Sequence, residues 1–307
     1  MITEIPTSEE FAQAGIDYLL LAWHQVLSLL SLAEHYAELE KSVDEPGVVD
    51  KHWAQATRQL ATSGSLIHQG AEFLLKSRVA AVSPYLLLEG SKDWSKKAQE
   101  EDSAFITFRT IDAQILPRLH DTVCSSRLDP RFKQLLEAIR QRRNAATHGL
   151  LRMVETTAPQ MLREILEISH HLVGARRWPR LLHDEAYDDP APWSDYHGQI
   201  PRGLLDTWDG VVGLLKPAEC KKHLGFSKRT KAFICPYCHT GDIPPEPPIK
   251  LAQFDPDDGT QLYCFVCDEH FKISREACAG CGGDVVDESR CLSCNEDLPS
   301  SPPPLPS

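Results

Sequence analysis

Eight of the ten cysteines lie between Cys235 and Cys294, and all eight belong to Cys-x-x-Cys pairs. The pairs are Cys235/Cys238, Cys264/Cys267, Cys278/Cys281 and Cys291/Cys294. Two thiolates separated by two residues can grip one cation through a tight turn, with backbone amides pointing at the sulfurs. Two pairs complete a closed four-thiolate tetrahedron that leaves no position for a substrate water, so its role is structural. So short a segment has little apolar core and folds largely on binding its metal. The spacing predicts two structural Zn2+ ions and no catalytic metal. A disulfide scaffold, a redox motif and an iron–sulfur cluster are the competing uses of such pairs. Sequential pairing gives a first ribbon with 25 residues between its pairs and a second with 9. Interleaved pairing is also compatible with the sequence. His239 and His270 stand beside the pairs, but eight thiolates already suffice for two ions.

A second place where chemistry could reside runs from Arg140 to Gly149, reading Arg-Gln-Arg-Arg-Asn-Ala-Ala-Thr-His-Gly. An imidazole titrates near neutral pH and suits proton transfer. A guanidinium stays charged and offers a fork that fits phosphate. On a regular helix, five residues advance about 140° beyond a full turn, so Arg143 and His148 do not share a stripe. Asn144 and His148, four apart, do. The plainer reading makes Arg140, Arg142 and Arg143 a solvated face, with His148 capping the helix and Gly149 stopping it.

Arg143, Asn144 and His148 in this spacing resemble the R-N-x-x-x-H form of the R-x4-6-H motif of the HEPN family. The all-helical stretch around the motif, and its place on a late helix, are also similar to that family. The resemblance covers residues 1 to about 180 and implies metal-independent RNA cleavage in a site shared by two protomers. It assigns His148 to the proton of a ribose 2′-hydroxyl, Arg143 to the scissile phosphate and Asn144 to orienting the histidine or holding a phosphate oxygen. Arg140, Arg142 and Thr147 would add RNA contacts. The implied products are a 2′,3′-cyclic phosphate and a 5′-hydroxyl. The implied setting is a homodimer, a toxin or phage-defence effector restrained by an antitoxin or defence-system protein, in a chain whose lack of a secretory signal reads as cytoplasmic. The rival reading is an adaptor without catalysis that binds RNA or a partner protein.

Two further features bear on a nucleic-acid partner. Lys216, Lys221, Lys222, Lys228, Arg229 and Lys231 form a basic run with Phe226 and Phe233 interleaved, which suits an RNA backbone or a solvated edge equally. Glu72, on an otherwise apolar helix, can meet a catalytic arginine across the bundle or a lysine at the surface. The chain-wide net charge of −12 argues against broad attraction to nucleic acid or anionic membrane, though not against a local basic site.

The elements that must position these groups are helices, followed by a small β-rich module. Thr7 and Glu10 fit a capping box at the start of a helix running to about Glu40. A second helix spans about Asp50 to Ser83. Helical signals return across Phe105 to Val123. Asp129-Pro130 opens the helix that carries the motif, and a last one spans Pro159 to Gly174. The expected class is therefore mainly α: a HEPN-like bundle over residues 1–182, a linker with the basic segment over 183–232, paired zinc ribbons over 233–297 and a disordered tail over 298–307. Leu204 to Leu215 reads as helix or strand. With 307 residues, 42% hydrophobic and 25% charged, the chain has an ordinary globular composition. Its start lacks the basic and apolar regions of a secretory signal. The apolar run Tyr18 to Trp23 is too short to span a bilayer, so no membrane partner is expected.

Overall fold

The computed structural model describes all residues except 44–45, 91–101, 150–155, 189–201, 240–246, 284, 288–289 and 298–307. Part of the expected linker and the whole of the expected tail therefore lie outside the described residues. The chain forms two compact units, Met1–Gly174 and Ala175–Ser307. The described structure is mainly helical, with a small β-containing region near the C-terminal end.

The first unit is built on two long helices, α1 (Ser8–Val43) and α2 (Val48–Ala80). The capping box forms as expected. The Thr7 amide donates to Glu10 Oε2 at 2.7 Å, and the Glu10 amide donates to Thr7 Oγ1 at 3.1 Å. Gly47, with φ of 88°, makes the left-handed turn between the helices, and Glu40 accepts from the Val49 amide. The two helices run antiparallel: Leu29 faces His52, Gln25 faces Ser63 and Gly15 faces Gly70. At the last crossing a Cβ on Gly70 would lie 2.7 Å from Leu19 and 3.0 Å from the Gly15 carbonyl. Only glycine permits so close an approach.

Among the described residues α1 is the one helix long and apolar enough, by length and composition, to cross a membrane. The short run Tyr18 to Trp23 understates this, because Ile16 before it and Val26, Leu27, Leu29, Leu30 and Leu32 after it carry the average hydropathy over a longer window. Buried core helices pass the same test, and Leu19, Ala22, Trp23 and Val26 are fully buried.

After α2 the chain departs from the helical expectation for Phe105 to Val123. Only Phe105–Thr107 forms a 3-10 turn, and helix returns at α3 (Leu116–Val123). Between them the backbone pairs with an earlier segment: the Glu89 amide donates to the Arg109 carbonyl and the Ile111 amide to the Leu87 carbonyl. These non-local bonds replace the i to i+4 bonds of a helix. Helix α4 (Pro130–Thr147) starts as expected, with the Asp129 carboxylate accepting from the amides of Arg131 and Phe132. It buries Phe132, Leu136 and Ile139. Helix α5 (Ala158–Ile168) is capped by Thr157 and widens into a π turn over Ser169–Val173 before Gly174. Helices α3, α4 and α5 all pack on α2, and α5 also packs on α1.

The second unit begins with α6 (Trp178–Asp188), α7 (Arg202–Leu214) and α8 (Pro217–Leu224). The stretch read as a linker over 183–232 is therefore mostly helical where it is described up to Leu224, apart from the junction at Leu215 and Lys216, and the first unit ends at Gly174, not at 182. The ambiguous segment Leu204 to Leu215 is helix. The reason is burial: Trp208 is fully buried and meets Phe265 edge-on at 5.5 Å, and Phe226 meets the same ring at 5.6 Å. Aromatic anchors of this size dominate a small core. Three antiparallel strands follow in the order β1 (Ala252–Phe254), β2 (Gln261–Cys264) and β3 (Glu269–Lys272), and then the pair β4 (Val286–Asp287) and β5 (Arg290–Cys291).

Candidate functional site

The eight paired cysteines form two sets of four. Cys235, Cys238, Cys264 and Cys267 make one, and Cys278, Cys281, Cys291 and Cys294 the other, with the sulfurs of each set within 4.8 Å of one another. The pairing is thus sequential. Cys235 and Cys267 sulfurs lie 3.8 Å apart, as do those of Cys238 and Cys264. In the second set, Cys278 to Cys294 and Cys281 to Cys291 are each 3.7 Å. These distances far exceed the roughly 2.05 Å of a disulfide, and the cysteines are free. A tetrahedron with metal–sulfur bonds of about 2.3 Å has edges of about 3.8 Å. The residues therefore fit a four-thiolate metal ion at each site.

Local backbone geometry supports the same use. The amides of Cys238, Gly283 and Ser293 donate to the sulfurs of Cys235, Cys281 and Cys291, each at 3.4 Å. Burial pushes the Cys235 thiol well above its usual range, with the thiols of Cys264 and Cys267 adding to the rise against a hydrogen bond from Cys238. Burial also acts to raise Cys291, but the amides of Ser293 and Cys294 and the thiols of Cys281 and Cys294 outweigh it and bring the thiol to about 7. Close thiols of this kind compete for one negative charge until a cation balances them. The first set is wholly buried, whereas Cys281 is exposed and Cys294 half-buried. His239 and His270 belong to neither set. His239 bonds the Ile249 carbonyl, and His270 pairs with Asp255 at 2.8 Å.

In the helical unit, α4 separates the residues of the Arg140–Gly149 stretch by function. Arg140 grips Glu137 with two bonds of 2.8 Å. Arg142 reaches Glu164 on α5 at 2.5 Å, and this carboxylate is only 5% exposed. Both arginines are thus committed to carboxylates, and the solvated face expected of three arginines does not form. Arg143 is half-buried and has no carboxylate partner among the described residues. Thr147 turns its hydroxyl back to the Arg143 carbonyl at 2.9 Å. That bond occupies its proton. Asn144 is half-buried, and its carbonyl accepts from the His148 amide. His148 is the exposed C-cap, and Gly149 follows with φ of 77°. Its backbone role is the helix stop that residue types alone suggest.

The basic run forms α8 and the turn after it. Lys221, Lys222, Lys228, Arg229 and Lys231 are all exposed. Lys228 donates to the Gly213 carbonyl, and Lys231 lies 5.1 Å from the Phe233 ring. Beside the first cysteine set, Tyr263 donates to Asp268 at 2.7 Å.

Several polar residues escaped the sequence reading. His68 and Lys76 are buried on α2, four residues either side of Glu72, and line up at helical spacing. Glu72 binds Lys76 at 2.8 Å, so it meets a lysine, but one that is 7% exposed and not a surface partner. Burial first, and then the Arg143 and Arg140 guanidinium charges, lower the His68 pKa against the opposing pull of Glu72. The signal available in the sequence was the i, i+4, i+8 polar row on an apolar helix. Glu164 had no such signal, since its partner lies twenty-two positions away. No protein-family profile, curated protein or solved structure matches this chain.

Proposed function

We propose that the helical unit is a metal-independent endoribonuclease of the HEPN type, acting as a homodimer, with Arg143, Asn144 and His148 as its centre. One observation carries the reading. Of the three arginines, Arg140 and Arg142 are held by Glu137 and Glu164, which leaves Arg143 as the one without a carboxylate among the described residues, on the helix that ends in an exposed imidazole. His148 takes the proton of a ribose 2′-hydroxyl as that oxygen attacks the adjacent phosphorus. The phosphorus–O5′ bond breaks, giving a 2′,3′-cyclic phosphate and an alkoxide that takes a proton from water or from the imidazolium. Arg143 balances the charge that grows on the phosphoryl oxygens, and Asn144 orients the imidazole or a phosphate oxygen. Because Arg143 and His148 point in directions about 140° apart on a helix, a second copy of the chain completes the groove. The metal ions are read as zinc, and their part is to fold the second unit. The exposed lysines of α8 supply a backbone grip for RNA in an otherwise acidic chain. A growth-arresting toxin or a phage-defence effector, held in check by an antitoxin, is the use that this chemistry suits.

The test is cleavage of a mixed RNA substrate by the zinc-loaded chain in magnesium-free buffer. Arg143→Ala and His148→Ala should each lose on the order of 10²-fold or more in rate. A wild-type chain that binds RNA or another protein without cutting RNA, with both variants binding equally, establishes the adaptor instead. Cleavage by a chain that light scattering shows to be monomeric refutes the shared groove.

A further inference from the structure

Helices α2, α3 and α4 enclose a cleft of about 640 Å³. Small-molecule sites run from roughly 300 to 1,000 Å³. Its apolar lining comes from Ala71, Leu75, Leu136 and Ile139. The α2 wall adds His68 and Glu72, and the α3 and α4 walls add Arg118, Lys133 and Arg140. Arg140 is held by Glu137 and Lys133 by Asp121, while Arg118 is exposed and has no carboxylate partner among the described residues. Glu137 offsets Arg140, Asp121 offsets Lys133 and Lys76 offsets Glu72, which leaves Arg118 as the lining cation without an ion-pair partner among the described residues, in a chain whose net charge is −12.

An apolar slot, an imidazole beside a carboxylate and a cationic wall call for a ligand with three parts: a flat apolar body, hydroxyl groups and an anion. We infer that the cleft binds a nucleoside monophosphate unit, with the base on the apolar lining, the ribose hydroxyls toward His68 and Glu72, and the phosphate toward Arg118 and Lys133. His68 meets the ligand as a neutral ring, able to donate from one nitrogen and accept at the other. Arg140 lines the cleft three residues before Arg143, on the same stripe of α4. The nucleotide is therefore one of the RNA strand that Arg143 holds, and this placement rests on the ribonuclease reading. The ligand class rests on the cleft alone.

The experiment is calorimetric titration of the zinc-loaded full chain with AMP, UMP, adenosine and inorganic phosphate. AMP or UMP should bind once per chain, with adenosine and phosphate each weaker by roughly tenfold or more, as expected from loss of a charge-assisted contact. Arg118→Gln, at an exposed position, should weaken the nucleotide by a similar factor without changing the melting curve. Calorimetry reads binding without any cleavage step, which keeps this result separate from the fate of the ribonuclease reading. In a cleavage assay, AMP or UMP that raises KM at constant kcat marks a site for the RNA strand. A change in kcat marks a site for a free nucleotide effector, with the same chemistry. Absence of binding by either nucleotide overturns the inference. So does binding that Arg118→Gln and Lys133→Gln both leave unchanged.

Discussion

Arg142→Ala tests whether the middle arginine of the motif helix holds the fold together or serves RNA. The substitution leaves Glu164, 5% exposed, with Gln160 at 3.0 Å as its remaining side-chain partner among the described residues. Losing one member of a buried pair costs about 3–5 kcal/mol. A ceiling on the electrostatic part follows from titration, since a carboxyl that cannot keep its charge takes up a proton. From its ordinary pKa of 4.5, protonation at pH 7 costs about 3.4 kcal/mol at 1.36 kcal/mol per unit. The bond from Gln160 eases that, so the expected loss is about 3 kcal/mol at pH 7. Burial already holds the Glu164 pKa above its usual value, against the charge of Arg142. The folded protein thus binds this proton more tightly than the unfolded one. Lower pH then favours the fold, and stability falls as pH rises above about 4.5. Without Arg142 the dependence steepens, so the penalty should shrink to under about 1 kcal/mol near pH 5. Urea unfolding followed by circular dichroism at both pH values reads this directly, with Arg143→Ala as a control expected to lose less than about 0.5 kcal/mol. Adding Glu164→Gln to Arg142→Ala should recover most of the loss. A penalty below about 1 kcal/mol at pH 7, or one equal at both pH values, would refute the argument and return Arg142 to the list of RNA contacts.

Two further outcomes follow from packing and from the metal sites. Gly70→Ala gains about 1 kcal/mol of helix propensity but drives a methyl to 2.7 Å from Leu19 and 3.0 Å from a backbone carbonyl. Overpacking of this kind costs about 1–3 kcal/mol, so a net loss in melting temperature is expected, and a net gain would show that α1 and α2 can separate freely. Metal analysis should find two ions per chain, released to a colorimetric chelator in two phases, because one cysteine set is wholly buried while Cys281 of the other is exposed. Cys281→Ser should abolish the fast phase alone, and loss of the slow phase instead would reverse the assignment.

The sequence by itself marked two helix starts and the eight cysteines that could hold metal, because both are local. A capping box needs only Thr7 and Glu10 three residues apart, and Asp129-Pro130 opens α4 for the same reason. A Cys-x-x-Cys turn likewise carries half a tetrahedron within four residues. Which pairs share an ion was not local, and the fold decided it by bringing Cys264 and Cys267 back to Cys235 and Cys238. The tertiary structure also decided where the motif's charge goes. Arg140, Arg142 and Arg143 are alike as residues, yet Glu137 and Glu164 claim two of them and leave the third. It replaced the helix expected after Phe105 with backbone bonds to residues 87–89, and it turned much of a presumed linker into helices by burying Trp178 and Trp208. Short-range steric and hydrogen-bonding rules are written in neighbouring residues. Burial and charge pairing depend on which distant surfaces meet, and only the folded chain supplies that information.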